Sequence, residues 1–158
     1  MDTLLICQTL AQRLMAQHWM MASAESCTGG MISARCTDFA GSSAWFERGF
    51  VTYSNAAKQE LLGVDAGLIA QHGAVSEAVA RSMALGAFQH SKAQATVAVT
   101  GVAGPAGGSA DKPVGTVWFA WCIEGRVEAE KQLFAGDRAA VREATVLHAL
   151  QGLLTRIA

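Results

Sequence analysis

Apolar positions recur at helical spacing near the start of the chain. Leu4, Cys7, Leu10, Ala11, Leu14 and Met15 share one face, which predicts a core-facing helix over residues 2–17. A short apolar run at 19–24 reads as a buried strand, and residues 31–37 return to a helical pattern. Ala40-Gly41-Ser42-Ser43 is a turn, and RGFVTY (48–53) predicts a second strand. Ser54-Asn55 can cap a helix that carries Lys58 and ends near Gly63. Asp65 caps a shorter piece to Gln71, with Gly73 stopping it. Ser76 opens a longer helix over 77–91, whose face of Val79, Met83, Gly86 and Ala87 is small enough to pack closely on a sheet. ATVAVT (95–100) predicts a buried strand, and 114–123 another. Glu124-Gly125-Arg126 then turns the chain into a paired strand over 127–134. Asp137 caps a last helix with Val141, Ala144, Leu147, Leu150, Leu154 and Ile157 on its core face.

This order of elements implies an α/β fold, with helices on both sides of a mixed, mostly parallel sheet. In such sheets the carboxyl ends of the strands form the ligand crevice. Three loops leave strand ends there: after Ala24, after Tyr53 and after Thr100. No repeat or linker divides the chain, so residues 1–158 are expected to form one domain.

Composition narrows the function classes. The chain is 51% hydrophobic and 16% charged, which suits a large core and an apolar subunit interface. Its 12 basic and 13 acidic residues form no block of one sign, so no nucleic-acid partner is expected. The longest apolar stretch, 114–123, is about half of what a membrane helix needs, and no signal-peptide pattern opens the chain. Cys7, Cys27, Cys36 and Cys122 form no Cys-x-x-Cys pair and read as reduced thiols of a cytoplasmic protein. His18, His72, His90 and His148 are dispersed, without metal-ligand spacing.

Candidate chemistry concentrates at AESCTGG (24–30), where a strand turns into a helix. The first amides of a helix are unpaired and can face a developing oxyanion. Ser26, Cys27 and Thr28 are all eligible nucleophiles or caps. No Gly-x-Ser-x-Gly elbow is present and no histidine is placed to serve as base. Lysine is the other partner for serine, since burial lowers its pKa. Lys58, on the first turn of a helix leaving a strand end, fits better than Lys92, Lys112 or Lys131 in their more polar contexts. Cys27 is the rival nucleophile, its pKa expected to fall at the helix start, or else a small buried hydrophobe. The Gly-rich loop 101–109, bracketed by Pro105 and Pro113, lacks a Gly-Lys-Ser/Thr ending and leads into no helix. Its amides can approach an anion, or it is simply a long connection. Arg138 and Arg142 share a face at the start of the last helix, where basic charge opposes the dipole. They read as a phosphate site or as surface charge beside Asp137 and Glu143.

Five separated motifs then agree: AESCTGG (24–30), GSSAWFERGFVTYSNAAK (41–58), GAVSEAVA (73–80), TGVAGPAGGSADKPVGTV (100–117) and GDRAAVR (136–142). Together they resemble the CinA C-terminal domain family over residues 2–157, in its stand-alone form, the nicotinamide-nucleotide amidases (NMN deamidases). The resemblance implies a three-layer α/β/α sandwich. It also implies hydrolysis of the carboxamide of nicotinamide mononucleotide to nicotinate mononucleotide and ammonia. It selects Ser26 as nucleophile and Lys58 as general base, with Tyr53 as a further catalytic residue. It matches Thr100, Arg138 and Arg142 to family positions, and Thr28, Gly29, Gly30, Gly101, Gly104, Gly107, Gly108 and Ser109 complete the expected substrate-binding set. The oxyanion would face amides between Cys27 and Gly30, with the Gly101–Gly104 loop as a further source of donors. No cofactor or metal is implied, and the expected assembly is a homodimer or higher homo-oligomer. Ala106 departs from the polar or acidic residue often found at its position. Two other readings use the same residues: a non-catalytic paralogue that binds a pyridine nucleotide, and a protein-interaction module linked to competence or DNA damage.

Overall fold

The computed structural model describes residues 2–158. Helix α1 (Thr3–Ala16) leads into strand β1 (Met21–Glu25), helix α2 (Met31–Cys36) and, after a 3₁₀ turn, strand β2 (Phe46–Val51). Helices α3 (Asn55–Leu62), α4 (Ala66–His72) and α5 (Glu77–Gln89) precede strand β3 (Ala95–Gly101). The hairpin β4 (Thr116–Ile123) and β5 (Arg126–Leu133) follows, and α6 (Arg138–Arg156) closes the chain. The sheet runs β2-β1-β3-β4-β5. The first three strands are mutually parallel, and β4 and β5 are antiparallel additions.

Strand alternation sorts the core into two layers. Val117, Phe119 and Trp121 of β4 face α1, α2 and α6, while Ala120 and Cys122 face α3, α4 and α5. The second face is lined by alanines, Ala24, Ala98 and Ala120, against Val79, Ala80, Met83, Ala84 and Ala87 of α5. Small residues on both sides let that helix lie close to the sheet, as the sequence pattern predicts. The four cysteines are free and buried. No helix among the described residues is long and apolar enough to cross a membrane.

Several expected boundaries and faces shift. β2 begins two residues earlier than RGFVTY suggests, because Phe46 pairs with Met21. It ends at Val51, where the Thr52 N–H still reaches the Glu25 carbonyl (2.8 Å) while the chain turns toward α3. In α1, Ile6 is buried in place of the expected Leu4 and Met15, both of which are exposed. In α6, Leu147 is exposed and Ala144 half-buried, and Thr145, Val146, Ala149 and Leu153 take the core instead. Thr145 can be buried because its hydroxyl donates to the Val141 carbonyl (2.7 Å).

Helix α6 packs closely on the sheet at Gly152. The Trp121 indole lies against it, donates Nε1–H to Ala149 O (2.9 Å) and stacks on Phe119 and the Arg156 guanidinium. A methyl group on Gly152 would overlap the ring, which is confined on its other sides. Alanine gains about 1 kcal/mol of helix propensity, but overpacking costs about 1–3 kcal/mol and strains the indole bond. Gly152→Ala is therefore expected to lower the urea midpoint, with the slope of the transition unchanged.

Candidate active site

The chain passes from β1 outward to β2, then crosses back over β1 to β3. The strand order therefore reverses between β1 and β3, and a crevice opens at their carboxyl ends. A cavity of about 340 Å³ occupies this place. Ser26 and Cys27 enter it from the end of β1, and Tyr53, Asn55 and Lys58 from the β2–α3 connection. Thr100 to Gly104, with Ala106 and Gly107, come from the end of β3, and Arg138 from the start of α6.

Lys58 is 1% exposed. Ser54 caps α3 by accepting from the Ala57 N–H (3.0 Å), which fixes the first turn. Helical side chains lean back toward the N-terminus, so the Lys58 amine returns to the strand end it has just left. Its Nζ lies 3.0 Å from Thr52 O, 3.3 Å from Tyr53 O and 3.1 Å from Ser26 Oγ. Burial pushes the amine below the usual lysine range. A neutral amine has two hydrogens and one lone pair. Here two carbonyls take the hydrogens, and the lone pair is left for the Ser26 hydroxyl proton. The arrangement is that of a base poised on a serine.

Cys27 is pushed the other way from the sequence-based expectation. Desolvation raises its thiol to about 11, outweighing the nearby positive groups, so it stays protonated near neutrality. Two features deny it a helix-start environment. The turn Ser26–Gly30 separates it from α2, and the first amides of α2 are already taken. Glu25, fully buried, accepts from Ile32 N (2.8 Å) and Ser33 N (3.1 Å), from Thr28 Oγ1 (2.6 Å) and from Ser33 Oγ (3.1 Å). The oxyanion donors expected from the helix terminus are thus occupied. Within the turn, Gly29 N donates to Ser26 O and Met31 N to Thr28 O. Among the described residues, the Cys27 and Thr28 N–H groups have no acceptor in another residue.

The predicted binding residues divide. Thr100, Gly101, Gly104, Gly107 and Arg138 line the cavity. Thr28, Gly29, Gly30, Gly108, Ser109 and Arg142 do not. Thr28 is buried against Glu25, and Gly29 (φ +59°) and Gly30 (φ +109°) supply the left-handed turn. Ser109 accepts from Lys112 N (3.1 Å) to close a local turn. Arg142 reaches back to the nucleophile turn, donating Nε–H to Cys27 O (3.1 Å) and Nη2–H to Thr28 O (3.2 Å). Arg138 donates to Gly104 O (2.8 Å) and to the Tyr53 hydroxyl (3.3 Å). The Tyr53 hydroxyl therefore stands with Arg138 at the rim, and only its carbonyl meets Lys58. Glu25 is the residue that sequence reasoning misses. Strand parity is the available signal, since Glu25 shares a strand face with Met21 and Ser23 and must point where α2 packs.

Among the described residues no group of three or more His, Cys, Asp and Glu side chains is placed to hold a metal ion. A family model described as the CinA C-terminal domain matches residues 5–157. A nicotinamide-nucleotide amidohydrolase PncC of Enterobacter agglomerans is 57% identical over 89% of this chain and 87% of its own. Its namesake in Escherichia coli K12 is 51% identical over 92% and 89%. In structure the chain is similar to the competence/damage inducible protein CihA of Agrobacterium tumefaciens. That match has a TM-score of 0.95 and 43% identity, and covers 98% of this chain and 95% of the other.

Proposed function

The chain belongs to the CinA C-terminal domain family, and we propose that it hydrolyses the carboxamide of nicotinamide mononucleotide to nicotinate mononucleotide and ammonia. The observation that carries the reading is the Ser26 Oγ–Lys58 Nζ contact of 3.1 Å, with both remaining amine hydrogens committed to carbonyls. The names of the two amidohydrolase relatives support the substrate.

Lys58 takes the Ser26 proton as Oγ attacks the carboxamide carbon. The oxygen that gains charge faces the unpaired N–H groups of Cys27 and Thr28. The tetrahedral centre collapses, the carbon–nitrogen bond breaks, and the Lys58 ammonium returns its proton to the leaving nitrogen as ammonia. Lys58 then deprotonates a water, which attacks the acyl carbon. The bond to Oγ breaks, and the proton returns to Ser26. Tyr53 has no part in these transfers, because its hydroxyl is held by Arg138 at the rim. Arg138 and the loop amides beyond Gly101 hold the phosphate in this reading. Gly104 takes φ +84°, a conformation that turns its carbonyl to Arg138. The substrate is then a small phosphorylated molecule.

Ammonia release measured with the mononucleotide and its riboside side by side tests the reading. Turnover of the mononucleotide is expected, with kcat/KM lower for the riboside by about 10- to 100-fold, the worth of one charge-assisted contact. No release from either overturns it.

A further inference from the structure

The turn that presents Ser26 is held from two sides by side chains that stand outside the cavity. Beneath it, the buried Glu25 carboxylate accepts from Thr28 Oγ1 and from the first N–H groups of α2. From above, the Arg142 guanidinium donates to the carbonyls of Cys27 and Thr28. One group collects the donors of the segment and the other its acceptors. The Cys27–Thr28 peptide is trans, so its carbonyl and its N–H point in opposite directions. With the carbonyl fixed on Arg142, the Thr28 N–H is turned away from α6 and left without a partner among the described residues.

We propose that Arg142 and Glu25 are positioning residues that clamp the Ser26 turn. Arg142 sets the orientation of the peptide whose N–H meets the oxyanion and makes no contact with the phosphate. The two arginines of the α6 start, four residues apart, thus have different tasks: Arg138 faces the ligand and Arg142 faces the backbone. Rotation of the Cys27–Thr28 peptide would move a donor by ångströms at the reacting centre, a displacement that costs catalysis without costing affinity.

This inference rests on the amidase reading for its kinetic test. In the full chain, Arg142→Gln is expected to lower kcat roughly 10²-fold for the mononucleotide and the riboside alike, with KM within about threefold. Arg142→Lys, which can reach one carbonyl, recovers part of the loss, and Glu25→Gln lowers kcat in the same pattern. A KM increase confined to the mononucleotide would assign Arg142 to the phosphate and overturn the proposal, as would unchanged kinetics. Labelling of Ser26 by phenylmethanesulfonyl fluoride gives a second readout that needs no substrate. Its Oγ–S bond forms as fluoride leaves and Lys58 takes the proton. Labelling, followed by intact mass, is expected to slow in the Arg142 and Glu25 variants, and equal rates overturn the clamp. If the parent chain labels but releases no ammonia, the amidase reading falls and the labelling comparison still decides. Should Arg142→Gln fail to fold, Arg142→Lys carries both measurements.

Discussion

Ser26→Ala is expected to release ammonia from nicotinamide mononucleotide at no more than about 10⁻⁴ of the parent rate, the scale of loss when a serine nucleophile is removed. The fold should survive. Ser26 loses only Oγ, and Lys58 keeps its two carbonyl partners. Binding of the mononucleotide, read as a thermal upshift, should persist because Arg138 and the Gly101–Gly104 wall are untouched. Cys27→Ala is the matched control. The Cys27 thiol stays protonated near neutral pH, pushed to about 11 by burial, so its removal should change kcat/KM by no more than about threefold. A dead Cys27 variant with an active Ser26 variant would exchange their roles.

Lys58 carries the second large effect, and its sign depends on pH. Lys58→Arg keeps the charge and cannot supply a neutral amine, so a loss of about 10³-fold is expected, within the range of general-base catalysis. Full activity in that variant would remove Lys58 as base. In the parent chain, kcat/KM should rise as pH passes upward through the lowered Lys58 pKa and then level off. Stability follows the same group. The folded-state pKa lies below the unfolded one, so between the two the unfolded chain binds more protons. Stability therefore rises with pH across that window and is lowest below the folded pKa. Lys58→Met lacks this component, and its urea midpoint should be flatter there. It also strands the buried Thr52 carbonyl, at about 1–3 kcal/mol when unmet, and the part-buried Tyr53 carbonyl at less. That loss is partly offset by the absence of a desolvated amine.

Much of this architecture is legible in the amino-acid sequence. Periodicity announces the helices and strands, and Ser54, Asp65, Ser76 and Asp137 all cap where their positions suggest. Ser26 and Lys58 stand out because each sits at a strand-to-helix junction, a local property. What escapes depends on partners distant in sequence. Arg142 reads as a phosphate ligand because it shares a helix face with Arg138. Its actual partners, Cys27 and Thr28, lie more than a hundred residues away and are carbonyls, which no side-chain pattern reports. Glu25 reads as an ordinary polar residue at the end of a strand, and only the packing of α2 across that face turns it inward. The core face of α6 is misread because Thr145 counts as polar by type, although a local hydrogen bond lets it enter the core.

The tuning of Lys58 has an evolutionary side. Two of the three atoms that hold its amine belong to the main chain, at Thr52 and Tyr53. A base whose partners are backbone carbonyls keeps them whatever side chains stand at those positions. Mutation can therefore reshape the rim of the site through Tyr53 while the proposed proton-accepting centre beneath it is inherited unchanged. New substrates can be explored at the mouth of the cavity without rebuilding the chemistry at its floor.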